Sequence, residues 1–251
     1  MAVRTIPNIQ QQPVRTYTFA EVTLKFFDEK VKDIAKALGY GSFWMTQAIP
    51  NAPAELKSFG STMSDFKNFV AMTEIPKKTT ELAHAISSFG STADVSKASR
   101  EVFKKTTGLT NSVVDSIEFG SRFIPIDSAS MTCLKGVNYA ATCGGALTGA
   151  YEQVQKYNDI KPGETSKTAY CAINFFRDIS YASLGGYGVF CVLSATPIVP
   201  IVLMAMLTSG LSFTILGYFY EKLYDPENTG KNLNTDSLIR NYRAQQPQIA
   251  R

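Results

Sequence analysis

The sequence predicts an all-α protein, with an N-terminal helical bundle or set of helix-pair repeats followed by a two-helix transmembrane hairpin. Three observations carry that expectation. Apolar residues recur at intervals of three and four from Phe19 to Leu38, a Phe-Gly-Ser motif returns at 59, 89 and 119, and all 42 residues between Asp178 and Glu221 are uncharged. At 251 residues, 45% hydrophobic and 18% charged, the chain is long enough to bury an apolar core, which excludes wholesale disorder. Its 25 Lys and Arg against 21 Asp and Glu leave a scattered +4, which is no footprint for a nucleic acid. A mean hydropathy near zero hides two compositions, a mixed segment to Asp178 and an uncharged one after it.

The order of elements begins with Met1 to Thr18, polar and punctuated by Pro7 and Pro13. It lacks the apolar run of a secretory signal, and Ala2 stands where N-myristoylation needs glycine. Two readings remain, a frayed terminus or an uncleaved export segment that works unfolded. From Phe19 to Leu38 the residues Phe19, Val22, Phe26, Phe27, Val31, Ile34 and Leu38 share one face of a helix, which Gly39 and Gly41 are expected to stop. Glu21 with Lys25 and Asp28 with Lys32 have favourable i to i+4 spacing. Four acids balance four lysines along that helix, which favours bundle packing over a cationic membrane-surface helix. Ser42 to Lys57 reads as an irregular connection.

The repeats come next. Phe59-Gly60-Ser61, Phe89-Gly90-Ser91 and Phe119-Gly120-Ser121 are evenly spaced, and Lys77-Lys78-Thr79-Thr80 returns as Lys104-Lys105-Thr106-Thr107. Glycine ends a helix and the following hydroxyl caps the next. Thr62 with Asp65 and Ser91 with Asp94 have that capping spacing. Helix pairs are therefore expected over 64–75 with 81–89, and over 95–105 with 112–119.

Gly136 to Tyr151 is uncharged and rich in small residues. Gly145 and Gly149, four apart, mark a face where another helix can approach closely, either in a packed helix or in a shallow insertion. Asn158 to Ser166, with Pro162 and Gly163, reads as a linker.

The hairpin is expected over 179–220. Pro197 and Pro200 divide it at Thr196 to Pro200 into lobes Ile179 to Ala195 and Ile201 to Tyr220. A hydrocarbon core of about 30 Å takes about 20 helical residues, so the stretch can hold two spans and a tight turn, with a single span by the second lobe as the alternative. Gly185 and Gly186 supply small packing residues in the first lobe. Tyr181 at its start, and Tyr218, Phe219 and Tyr220 at the end of the second, fit interfacial positions. Arg177 and Asp178 are expected at the water boundary, and 221–251 forms a polar tail.

Chemistry is sparse. The chain shows no phosphate loop, no nucleophile elbow and no His-Glu-x-x-His, and His84 is its one imidazole. Cys133, Cys143, Cys171 and Cys191 form no C-x-x-C pair, so thiols are expected rather than disulfides or a zinc cage. No enzyme activity, cofactor or metal is expected.

An uncleaved polar N-terminus joined to a late bilobed hairpin resembles the chlamydial inclusion membrane proteins, the Inc family. The carriers are Met1 to Thr18, Ile179 to Ala195, Thr196 to Pro200 and Ile201 to Tyr220, about a quarter of the chain. The likeness is one of hydropathy rather than of identities. It implies type III secretion, insertion in the vacuole (inclusion) membrane around an intracellular bacterium, both termini in the host cytosol, and recruitment of host cytosolic or organelle proteins. The chain departs from the commonest family layout in the late position of its hairpin and in lacking a long heptad array, so SNARE mimicry is not implied. The expected function is display of helices 19–178 from a membrane anchor, with possible partners including a second copy of the chain. Rival readings are a membrane-shaping or pore-forming hairpin protein, and a soluble bundle with a buried hairpin.

Overall fold

The computed structural model describes residues 17–90 and 94–226, and 85% of them lie in seven α-helices with no strand among them. The helices are α1 (Phe19–Glu29), α2 (Val31–Ala48), α3 (Ala54–Phe89), α4 (Val95–Gly120), α5 (Ser128–Asn158), α6 (Thr165–Leu193) and α7 (Pro200–Tyr224). Residues 1–16 and 227–251, and with them most of the expected export segment and tail, lie outside the described residues, as does Ser91.

Local chemistry sets several ends. Thr18 accepts from the Glu21 amide, while the Glu21 carboxylate accepts from the Thr18 amide at 2.8 Å, a reciprocal cap that starts α1. Asp94 and Asp127 cap α4 and α5 by accepting from Lys97 and Ser130 amides. Gly163, at φ +97, turns the 159–164 linker in the left-handed region that favours glycine.

Two expectations about helix breaks are corrected. The helix over 19–38 is two helices, parted at Lys30, whose φ of −120 and ψ of 35 leave the helical region. Gly39 and Gly41 do not stop it, and α2 runs through both to Ala48. Packing overrides glycine's low propensity here. A Cβ on Gly39 would lie 3.5 Å from Met63 Cβ, and one on Gly60 would lie 3.0 Å from Ser42 Oγ, so these glycines admit the close approach of α2 and α3.

The helix pairs are corrected in the same way. α3 continues from Ala54 to Phe89 through Gly60 and Pro76, and α4 from Val95 to Gly120 through Lys104–Thr107. Thr62 sits mid-helix, bonding the Ser58 carbonyl. Asp65 reaches Arg122, in the turn after α4, at 2.6 Å instead of capping anything. The second and third Phe-Gly-Ser motifs do coincide with the ends of α3 and α4, so each repeat corresponds to one long helix rather than two short ones.

Each helix from α2 onward packs against the next, and α7 returns against α2, closing a ring of six. The Trp44 indole donates to Thr208 Oγ1 at 2.9 Å across that closing seam. The ring's interior is unusual in composition. Its buried residues are mostly small or polar, including Ala35, Ala71, Ala98, Ser42, Asn68, Thr107, Ser112 and Asn174, whereas Leu193 at 82% and Phe123 at 74% are exposed. α1 lies outside the ring, where Val22 and Phe26 form an apolar cluster with Tyr218.

Candidate functional site

The hairpin and the polar space behind it carry the features that sequence reasoning singled out. α6 and α7 run antiparallel, joined through 194–199, close to the expected division. Ser180 and Ser209 hydroxyls meet at 3.1 Å, and the Tyr170 hydroxyl donates to Glu221 at 3.0 Å near the other end. Pro200 is the first residue of α7, where its missing N–H leaves no helical bond unmade. Pro197 lies in the connection, which the Val199 amide ties back to the Tyr187 hydroxyl at 2.9 Å. Ala195 takes a left-handed φ of 52.

Two transmembrane helices were expected, and the described residues contain one that is long and apolar enough to cross a membrane. It is α7, 25 residues long, whose most apolar 18-residue stretch has a mean hydropathy of 1.8 and is 22% buried. α6 fails for a legible reason. It starts at Thr165 and so includes Lys167, Arg177 and Asp178, and its uncharged part is diluted by Gly185, Gly186 and Gly188.

The small residues face different neighbours. A Cβ on Gly145 would stand 2.7 Å from Thr107 Oγ1 of α4, and one on Gly149 would stand 2.6 Å from Asp178 Oδ2 of α6. Gly185 meets the α5 backbone, 2.5 Å from Cys143 N and 2.6 Å from Tyr139 O. Gly186 has open space, with Cys143 Sγ 4.0 Å away.

The aromatics also divide. The Tyr181 ring lies between α6 and α7 against Gly210, its hydroxyl 3.4 Å from Thr214 Oγ1. Tyr218 and Phe219 pack on Phe26 of α1 with ring centroids 5.5 and 5.6 Å away. Tyr220 stacks on Tyr170 and touches Tyr224.

Inside the ring is a cavity of about 560 Å³ to which every ring helix contributes, through Lys36, Lys67, Asn111, Asn138, Asp178 and Thr214 in order. A second cavity of about 520 Å³ shares Lys36, Lys67 and Asn138 with it. The charges here are paired, Lys36 with Asp33 at 3.0 Å, Lys67 with Asp115 at 3.5 Å and Arg177 with Asp178 at 2.7 Å. Asp178 does not face solvent. It is 5% exposed and sits inside the fold. Its Oδ2, with Asn111 Oδ1 and Asn138 Oδ1, has no hydrogen-bond donor.

A further charge cluster ties α2, α3 and α4 together. Lys32 reaches Glu74 at 3.1 Å and Asp115 at 3.9 Å, and Lys78 reaches Glu74 at 3.0 Å. Burial pushes the Glu74 carboxyl up, but the Lys32 and Lys78 ammonium groups outweigh it and hold Glu74 below the ordinary carboxylate range. Burial pulls Lys32 down, opposed by Glu74 and reinforced by Lys36 and Lys78. Lys78 also donates to the fully buried Ser112 hydroxyl at 2.6 Å.

Sequence reasoning missed this interior polarity. A serine or asparagine at helical spacing carries no mark of which face it occupies, so nothing in the sequence singled out the buried Ser42, Asn68, Ser112 and Asn174. No three of His, Cys, Asp and Glu among the described residues are placed to hold a metal ion, and no disulfide joins the four cysteines. Among the described residues the arrangement offers paired charges and acceptor oxygens. No family model, no curated protein and no solved structure matches the chain.

Proposed function

We propose that the chain is a membrane-anchored helical protein, with α7 seated in a bilayer and those parts of the helices of 19–178 that do not pack along it displayed on the cytosolic side. The carrying observation is the exposure of α7. Only 22% of its apolar stretch is buried, and Ile201, Val202 and Leu216 are exposed, whereas a core helix this apolar in a soluble protein is covered by its neighbours. Twenty-five residues at about 1.5 Å each give about 37 Å, enough to cross a hydrocarbon core of about 30 Å. Exposed Phe190, Leu193, Val199, Ile201 and Val202 continue that surface around the hairpin turn.

The hydropathy resemblance to inclusion membrane proteins supports the inclusion membrane as that bilayer, type III secretion as the route, and host cytosolic or organelle proteins as partners. The mechanism is presentation, in which the hairpin anchors and the long helices offer exposed apolar residues, such as Phe59, Phe66 and Met72 of α3 and Phe103 of α4, to a partner helix. The polar ring interior favours a second reading, a permeability protein, which dye release from sealed vesicles separates from the first.

Carbonate extraction with protease protection tests the anchor, using tags at both ends and a cysteine probe near Val199. Retention with both tags digested and the turn protected supports the hairpin in lipid. Release into the soluble fraction overturns the anchor and the inclusion-membrane reading together.

A further inference from the structure

α1 presents three faces, and one of them is uncovered. Val22 and Phe26 pack on the end of α7. At about 100° per residue, Glu21, Lys25, Asp28 and Glu29 occupy a second sector, and Ala20, Leu24 and Phe27 fall together in a third. Leu24 is 72% and Phe27 59% exposed, and Val31, the first residue of α2, is exposed next to them. A helix that only packs on a bundle needs one apolar stripe. This one has two.

The second stripe lies beside the C-terminal end of α7, where Leu216 and Tyr224 are also exposed. That is where a membrane helix meets water. Lys30 and Lys222 both lie over the Tyr218 ring, at 5.3 and 5.6 Å, and the Tyr218 hydroxyl donates to Glu29 at 2.9 Å. Lysines and a tyrosine hydroxyl at a helix end are what the headgroup region selects.

We propose that α1 is an interfacial helix whose Leu24–Phe27 stripe enters the boundary between headgroups and acyl chains, alongside the end of α7. The occupant of the stripe is a lipid surface. The inference rests on the reading of α7 as membrane-seated, and it adds a second lipid contact that fixes how deep α7 sits. The charged sector of α1 holds three acids and one lysine, so apolar insertion rather than attraction to anionic headgroups drives the contact.

The test uses the full chain with Trp44→Phe, which removes the one native tryptophan, and a single tryptophan at Leu24→Trp or at Asp28→Trp, in neutral phosphatidylcholine vesicles. The expected result is a several-fold lower iodide quenching at position 24 than at 28, strong quenching of position 24 by lipids brominated near the headgroup end of the chain, and little change when anionic lipid is added. Carbonate extraction of the same vesicles reports α7 separately. A chain that is retained while position 24 stays open to iodide overturns the α1 proposal and leaves the anchor standing. A chain that is extracted overturns the anchor and the proposal with it. Protection of position 24 that disappears on deletion of residues 1–16, with no quenching by brominated lipid, shows that the N-terminal segment covers the stripe and also overturns the proposal.

Discussion

Gly149 of α5 and Asp178 of α6 are complementary, because the carboxylate Oδ2 stands 2.6 Å from where a Cβ on Gly149 would be. A buried carboxylate, rather than a helix backbone, fills the space that this small residue leaves. Gly149→Ala must displace a side chain already held by Arg177 at 2.7 Å, and the expected loss is about 1–3 kcal/mol of stability, as for other overpacked sites. Gly186→Ala is the control. Its Cβ meets open space, so it gains helix propensity of up to about 1 kcal/mol. Thermal melts in detergent micelles that move both variants in the same direction would refute this account of the interface.

Gly185→Ala should be the harsher change. The atoms its Cβ would meet, Cys143 N and Tyr139 O, belong to the α5 backbone, which cannot rotate away as a side chain can. α5 and α6 must separate, and the Tyr139 ring that packs on Gly188 loses its seat. The expected outcome is a lower midpoint than for Gly149→Ala, together with faster alkylation of the buried Cys191 thiol. Equal alkylation rates in the variant and the parent would sink the prediction.

Much of this was legible in the sequence, and the limits of legibility have a physical pattern. The linker at Asn158–Ser166, the turn near Pro197 and Pro200, and the all-helical class follow from proline, glycine and charge placement, which act locally. The breaks at Gly39 and Gly60 did not materialise because neighbouring helices use the missing Cβ atoms, a tertiary effect invisible to local rules, while Gly41, with open space at its Cβ position, is carried within α2. Conversely, the break at Lys30 has no glycine or proline to announce it. The candidate site was half readable. Gly145, Gly149 and Gly185 do lie at close helix contacts, whereas the inward turn of Tyr181 and the burial of Asp178 depend on the ring closing.

Acid should loosen the α2–α3–α4 junction through Glu74. Its pKa in the folded chain lies below the ordinary carboxylate value, so below about pH 4.5 the unfolded chain binds the proton that the folded chain refuses. The stabilisation is therefore complete above that value and is lost as pH falls through the lowered pKa. Glu74→Gln should have a lower midpoint at neutral pH and a shallower acid decline. Midpoints of parent and variant that fall in parallel between pH 5 and pH 3 would show that Glu74 is not the titrating group.

Phe26→Ala should free α1 without unfolding the ring. Phe26 is the centre of the cluster with Val22, Tyr218 and Phe219, and α1 touches nothing else extensively. Truncating a buried phenylalanine costs about 3–5 kcal/mol, which is large for an 11-residue helix held by one cluster and its cap. Trypsin should then cut after Lys25 and Lys30 several-fold faster, while the helical circular dichroism falls by no more than the share of α1. Tyr218→Phe provides the comparison, since it removes the bond to Glu29 but keeps the ring contacts, and its cleavage rate should lie between those of the parent and Phe26→Ala. Cleavage that accelerates only when the whole chain melts would mean that α1 and the ring form one cooperative unit.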